Sequence, residues 1–207
     1  MSKVFFDVGI SLDGFIAGLN GGPQNPIGDG GLAIHEWMFK QKSFNEHLGL
    51  EGGQDNNKDN DIIKKIFGRI GSNIMGKHMF DEGEANWPEN APFHTSVYVL
   101  THQPRDPWKR KGGTTFYFTD EAIEKVLQKA KKDAGEKDVR ISGGAEVIRQ
   151  YFNAGLIDEF CIHIAPMLLD NGVKLFDKLD KKKFSIEISD VANSPIVTHL
   201  FYKVINH

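Results

Sequence analysis

The sequence predicts an α/β fold with three layers, α/β/α, built on one mixed, mostly parallel sheet with an antiparallel C-terminal edge. Three observations lead there. Apolar strand-like runs alternate with amphipathic helical stretches over residues 3–154. From residue 159 onward, strand-like runs follow one another with no helix between them. No internal repeat or linker divides the chain, so one domain over residues 1–207 is expected. Strand–helix alternation builds a parallel sheet covered on both faces, and a strand-rich tail adds antiparallel strands at an edge.

The elements follow in order. Residues 3–10 read as an apolar strand with Asp7 inside it, closed by the Asp13-Gly14 turn signal. Residues 19–31 are rich in Gly, Pro, Asn and Asp and form a long loop of the kind that often covers a binding site. Residues 33–48 read as one helix with Ile34, Trp37, Met38 and Phe44 turned inward, and residues 49–60 as a polar excursion. A second helix starts at a cap on Asp59 or Asp61, buries Ile62, Ile63, Ile66, Phe67 and Ile70, and stops at Gly71. Short strands are expected at 73–75, 96–100 and 116–118. Thr119 or Asp120 caps a helix over 121–134, whose apolar face carries Ile123, Val126, Leu127 and Ala130. A strand at 139–141 and a helix at 145–154 complete the alternating part. The tail strands are 159–169, 184–191 and 196–205, and Phe184, Ile186 and Ile188 alternate with polar residues as a half-exposed strand does.

Composition narrows the function classes. The net charge is −3 with no dominant basic block, so no nucleic-acid partner is suggested. No run of about 18 apolar residues exists and no leader-like segment opens the chain, so no membrane partner is expected and the cytoplasm is the default location. Cys161 is the single cysteine and lies in an apolar run, where a buried, inert thiol is the ordinary reading. The zinc-deaminase pattern is absent, and the scattered histidines suggest no metal site.

The most informative stretch is VRISGGAEVIRQYF, Val139 to Phe152: a strand, a Gly143-Gly144 turn and a helix with Val147, Ile148, Tyr151 and Phe152 on one side. Two glycines there let a ligand approach the backbone, and the first helical turn offers unpaired N–H groups to a phosphate. The full G-x-G-x-x-G fingerprint is missing, so a Rossmann site is not indicated. A tight connection without a ligand is the competing account. Three further signals fall after predicted parallel strands, at Asp13-Gly14, at Gly76-Lys77-His78 and at Thr101-His102. Ligands bind at such carboxyl ends.

Several motifs together resemble the dihydrofolate reductase superfamily, in its riboflavin-biosynthesis reductase branch, the C-terminal half of the bifunctional deaminase–reductase. They are SLDGFIA from Ser11, IMGKHMFD from Ile74, VYVLTH from Val97, VRISGGAE from Val139 and GLIDEFCIHIAPMLL from Gly155, followed by Gly172 and Leu175-Phe176. They keep the family's order and span nearly the whole chain.

The resemblance implies a dihydrofolate reductase-like fold and NADPH as hydride donor. It implies that Ser142, Gly143 and Gly144, with Ala145 and Glu146, lie against the cofactor diphosphate. Gly76, Lys77 and His78 map to the family's Gly-Arg-x-Thr phosphate turn. Lys77 keeps that turn's charge without the planar fork of Arg, and Met79 lacks the Thr hydroxyl. Leu100, Thr101 and His102, with help from Arg105, map to the segment near the adenosine 2′-phosphate. Ile16 and Ala17 map beside the nicotinamide. A small heterocyclic or carbonyl compound is the implied substrate, and a homodimer the implied assembly, with the strands at 160–167 and 196–205 as its edge.

Hydride transfer also needs a proton. Asp29, His35 and Glu36 are the acids available in the loop and first helix, with water as the alternative. Asp13 is a further catalytic candidate on the substrate side, unless its carboxylate serves its own turn. A true dihydrofolate reductase and a non-catalytic nucleotide-binding protein are the other readings of this fold.

Overall fold

The computed structural model describes residues 2–207. The first strand, β1, is Val4–Ser11, followed by the short β2, Phe15–Ala17. After the loop and a 3-10 turn at Gly31–His35 come two short helices, α1 (Glu36–Phe39) and α2 (Lys42–His47). Helix α3 (Lys58–Arg69) runs straight into β3 (Ile70–Gly76), which feeds α4 (Lys77–Glu84). Strands β4 (Ser96–Leu100), β5 (Trp108–Lys109) and β6 (Thr115–Thr119) precede α5 (Ile123–Ala134). The Gly-Gly unit is β7 (Asp138–Gly143) and α6 (Ala145–Asn153). The tail is β8 (Glu159–Ala165), β9 (Val173–Lys174), β10 (Phe184–Asn193) and β11 (Thr198–Asn206).

Among the described residues nine strands form one sheet in the order β10-β11-β8-β1-β7-β3-β4-β6-β5, and β2 pairs with β9 apart from it. The run from β8 to β6 is parallel; β10 and β11 are antiparallel, as is the two-residue β5 at the other edge. The fold is thus the expected mixed sheet with an antiparallel C-terminal edge. Strand β7 returns to the centre, between β1 and β3, so the Gly143-Gly144 turn emerges mid-sheet.

Helices cover both faces. On one, α5 and α6 bury Val126, Leu127, Val147, Ile148, Tyr151 and Phe152 against Phe6, Ile74, Ile141 and Phe160. On the other, α3 packs Ile66 on Phe5, and α4 sets Phe80 among Val97, Val99, Phe116 and Phe118. Each large side chain withdrawn from water stabilises the fold by roughly 1.5–3 kcal/mol. Among the described residues, no helix is long and apolar enough to cross a membrane.

Several boundaries differ from the sequence expectation. The single helix over 33–48 is broken: Gln41 is extended (φ −105°, ψ 132°) and its buried side chain donates to the Trp37 carbonyl, closing α1. Asn57, not Asp59 or Asp61, caps α3, accepting from the Asn60 N–H at 2.8 Å. That frees Asp59 to turn into the interior. Gly71 does not end α3; it lies in β3, where a Cβ would collide with the Ala134 backbone of α5. Thr119 accepts from the Glu121 N–H in a turn before α5 and does not cap the helix. Helix α4 and strand β5 were not foreseen. The tail strand expected over 159–169 stops before Pro166, which has no N–H for a ladder. Strands β8 and β11 are both interior, so the exposed C-terminal edge is β10.

Candidate functional site

At the carboxyl ends of β1, β3, β4 and β7 the sheet opens into one cleft with two chambers. They meet at Gly144 and Ala145, with His78 and Val173 facing both. The first chamber, about 750 Å³, is the larger of the two and the more polar. Gly76 and Lys77 line it at the start of α4, Leu100, Thr101 and His102 after β4, and Glu146 at the start of α6. Neither Gly76 nor Gly144, the residues preceding these two helices, supplies a side-chain cap, so their first-turn N–H groups are left for another acceptor.

The turn from β7 into α6 on this rim is built by glycine chemistry. Gly143 has φ +136°, a region that favours glycine, and its peptide to Gly144 is cis. A Cβ on Gly144 would meet nothing within 4 Å, because it would point into the cleft. The Ser142 hydroxyl donates to Asn73 Oδ1 at 2.9 Å, and Asn73 donates to Thr95 Oγ1, which pins the turn to β3. Thr101 Oγ1 accepts from the Gln103 N–H at 3.0 Å and shapes the neighbouring turn.

Cations near this chamber are engaged. Lys77 pairs with Asp81, one helical turn on. Arg149 bonds Glu146 and the carbonyls of Lys174 and Leu175. Arg105 lies outside the chamber lining, paired with Glu84 at 2.6 Å and stacked over Phe118.

The second chamber, about 460 Å³, is mostly apolar. Ile16, Ala17, Ser142 and Gly143 line it, so of the cofactor residues expected from the resemblance all but the assisting Arg105 border the cleft. Its floor is polar and was not anticipated: Asp7 on β1, Arg140 on β7 and His163 on β8. Arg140 donates to Asp7 Oδ2 at 2.9 Å, and its Nε sits 2.6 Å from Oδ1. Burial would push the Asp7 carboxyl up; the Arg140 guanidinium and the His163 ring outweigh it and hold it at about 2. His163 continues the polar line to His199 (Nδ1 to Nδ1, 2.6 Å), and His199 Nε2 reaches Asp59 Oδ1 at 3.1 Å. Trp37 packs against both rings.

The proton-donor candidates separate clearly. His35 lines the apolar chamber, its ring against Gly9 of β1. Burial, with the neighbouring His163, lowers it to about 4, so the ring is neutral near pH 7. The catalytic residues proposed from sequence lie elsewhere. Asp13 accepts from Ser11 Oγ (2.5 Å) and from the N–H groups of Leu169 and Asp170, clamping the β8–β9 loop to the β1 turn. Asp29 is exposed and accepts from Asn20 and Asn25, bracing the long loop. Glu36 is exposed in the first turn of α1. None of the three borders the cleft. Turn chemistry accounts for these placements: Asp and Glu are common where loops and helix starts need acceptors.

The residues missed had a signal. Asp7, Arg140 and His163 each interrupt an apolar strand, and parallel pairing brings them to one face. Glu82, from the unforeseen α4, also enters the chamber; burial raises its carboxyl, opposed by His78 at 3.3 Å.

Comparison with known proteins agrees with this architecture. Residues 2–198 match the RibD C-terminal domain family. YyaP, an uncharacterized protein of Bacillus subtilis (strain 168), is 25% identical over 181 residues, covering 84% of this chain and 80% of YyaP. A Shewanella sp. PV-4 protein provisionally assigned to riboflavin biosynthesis superposes with TM-score 0.66 at 20% identity, both chains covered in full. Dihydrofolate reductase from Enterococcus faecalis, complexed with NADP(H) and RAB-propyl, gives 0.54 at 13% identity over 98% of this chain and 96% of its own. The Thermotoga maritima diaminohydroxyphosphoribosylaminopyrimidine deaminase/5-amino-6-(5-phosphoribosylamino)uracil reductase gives 0.59 at 12% identity over 98% of this chain and 56% of its own. The fold is that of dihydrofolate reductase.

Proposed function

Since the chain belongs to the RibD C-terminal domain family, we propose that it is an oxidoreductase that uses NADPH to deliver a hydride to a small heterocyclic or carbonyl compound. The observation that carries this reading is the two-chamber cleft pinched at Gly144. The larger, more polar chamber suits a dinucleotide, with its diphosphate beside the uncapped starts of α4 and α6. The apolar chamber suits a nicotinamide ring near Ile16 and Ala17 and leaves room for a substrate over Asp7, Arg140 and His163.

When bound, the nicotinamide supplies the hydride. The protein's own residues orient the reacting carbons and exclude water; good positioning of this kind is worth on the order of 7–11 kcal/mol in favourable cases. His35, neutral at working pH, offers a ring N–H to the substrate heteroatom as negative charge builds there. The Asp7–Arg140 pair and His163 form a rigid floor beneath.

Titration with NADPH and NADH, followed by tryptophan fluorescence, tests the reading. Saturable binding of at least one supports it; binding of neither sinks it. The protein is further proposed to work as a homodimer through β10, where Ile186, Ile188 and Val191 are exposed. A monomeric mass in light scattering would overturn that part.

A further inference from the structure

The apolar chamber has an unusual charge inventory for a protein related to enzymes of phosphorylated pyrimidines. Among the described residues its lining holds one permanent cation, Arg140, against two carboxylates, Asp7 and Glu82. Arg140 is committed to Asp7, 2.6 Å away, on the chamber floor. Among the described residues no lysine borders the chamber. His35 is neutral, because burial lowers its ring to about 4. His78 is already beside Glu82. A phosphate group placed here would lose its hydration, meet two carboxylates and find no free cation.

The mouth points the same way. Leu19, Leu32 and Phe39 line the chamber and remain 46%, 55% and 43% exposed. Phe39 packs edge-on against Phe44 with ring centroids 5.0 Å apart, so an aromatic wall stands at the entrance. Large apolar side chains held in water around one opening mark a surface that an apolar ligand covers. Isolated exposed leucines carry no such message; here three converge on one cavity.

We propose that the substrate chamber takes an uncharged, largely apolar ring compound and does not take a sugar phosphate. This rests on the reductase reading and narrows it. The ring would lie between the Phe39 wall and the floor, with its polar atoms toward His35 and the Asp7–Arg140 pair.

The test uses the full chain and an uncharged probe, 6-propionyl-2-dimethylaminonaphthalene, whose emission shifts to the blue in apolar surroundings. Saturable, blue-shifted binding is expected. Leu32→Lys and Phe39→Lys, both at exposed positions that leave the core intact, should each weaken it about tenfold. A ribitylaminopyrimidine is then used as competitor with and without its 5′-phosphate. The phosphate should leave competition unchanged or weaken it. Absence of probe binding, unchanged binding in both lysine variants, or a phosphate that strengthens competition about tenfold would each overturn the proposal. NADPH binding is measured separately on the same protein. Probe binding without NADPH binding would sink the reductase reading while leaving the apolar chamber supported.

Discussion

The Nδ1 atoms of His163 and His199 stand 2.6 Å apart on neighbouring strands. Two imidazole nitrogens at that distance share one proton, because two N–H groups or two lone pairs would repel. His199 Nε2 faces the Asp59 carboxylate, which accepts its N–H. His199 Nδ1 is then the acceptor and His163 Nδ1 the donor. His163 Nε2 is left pointing toward Asp7 Oδ2, 3.9 Å away, at the chamber floor.

This arrangement gives a pH signature. Burial and the neighbouring His163 lower His199 from 6.5 to about 4. His35 and His47 are likewise lowered to about 4, mainly by burial. Between these values the unfolded chain binds protons that the folded protein does not, so stability falls as pH drops from 6.5 toward 4. Each ring contributes a slope of up to about 1.4 kcal/mol per pH unit. Asp7 adds little in this window, since its own loss sets in only near its unfolded value of 3.8 and continues below it. Urea unfolding at pH 7, 6 and 5 measures the slope, and a flat profile would contradict the assignment.

The floor pair should behave as a unit. Arg140→Met leaves the Asp7 charge buried without its partner and should cost about 3–5 kcal/mol. Adding Asp7→Asn removes that stranded charge, so the double variant should be more stable than the summed single losses by about 1–3 kcal/mol. A double-mutant cycle by denaturant unfolding reads this coupling. Simple additivity would mean that the two side chains are neighbours without interaction.

The glycine turn separates ligand binding from folding. Gly144→Val projects into open cleft space, so thermal stability should hold while NADPH affinity is lost. Gly143→Ala should instead destabilise the fold by about 1–3 kcal/mol, because its φ of +136° is strained for any side chain. Calorimetry and fluorescence titration of both variants decide the matter. NADPH binding unchanged in Gly144→Val would reduce the turn to a connector.

Activity should depend on His35 and not on the loop acids. His35→Gln is expected to lower kcat by about 10²–10³, the usual loss for one donor to a developing anion. Its NADPH affinity should be retained. Asp29→Asn and Glu36→Gln should leave kcat unchanged, since neither borders the cleft. Steady-state kinetics on a reducible substrate would reverse the ranking if either acid is the donor.

By itself the sequence determined the layer architecture and the location of the rim. Period-2 and helical patterning, the Gly143-Gly144 junction and the turn at Gly76 are local signals, and local chemistry suffices to read them. The same locality could not place Asp13, Asp29 and Glu36, where residues suited to loops and helix starts look like acids awaiting a substrate and the fold sets them away from the cleft lining. Helix α4 was hidden because its sequence reads first as a glycine turn. Tertiary structure alone decided the cleft floor. Asp7, Arg140, His163 and His199 are far apart in the chain, and only the strand order β7-β1-β8-β11 puts them side by side. Whether a charged side chain in a strand is paired, free or turned to solvent depends on its neighbours across the sheet, and no single strand carries that information.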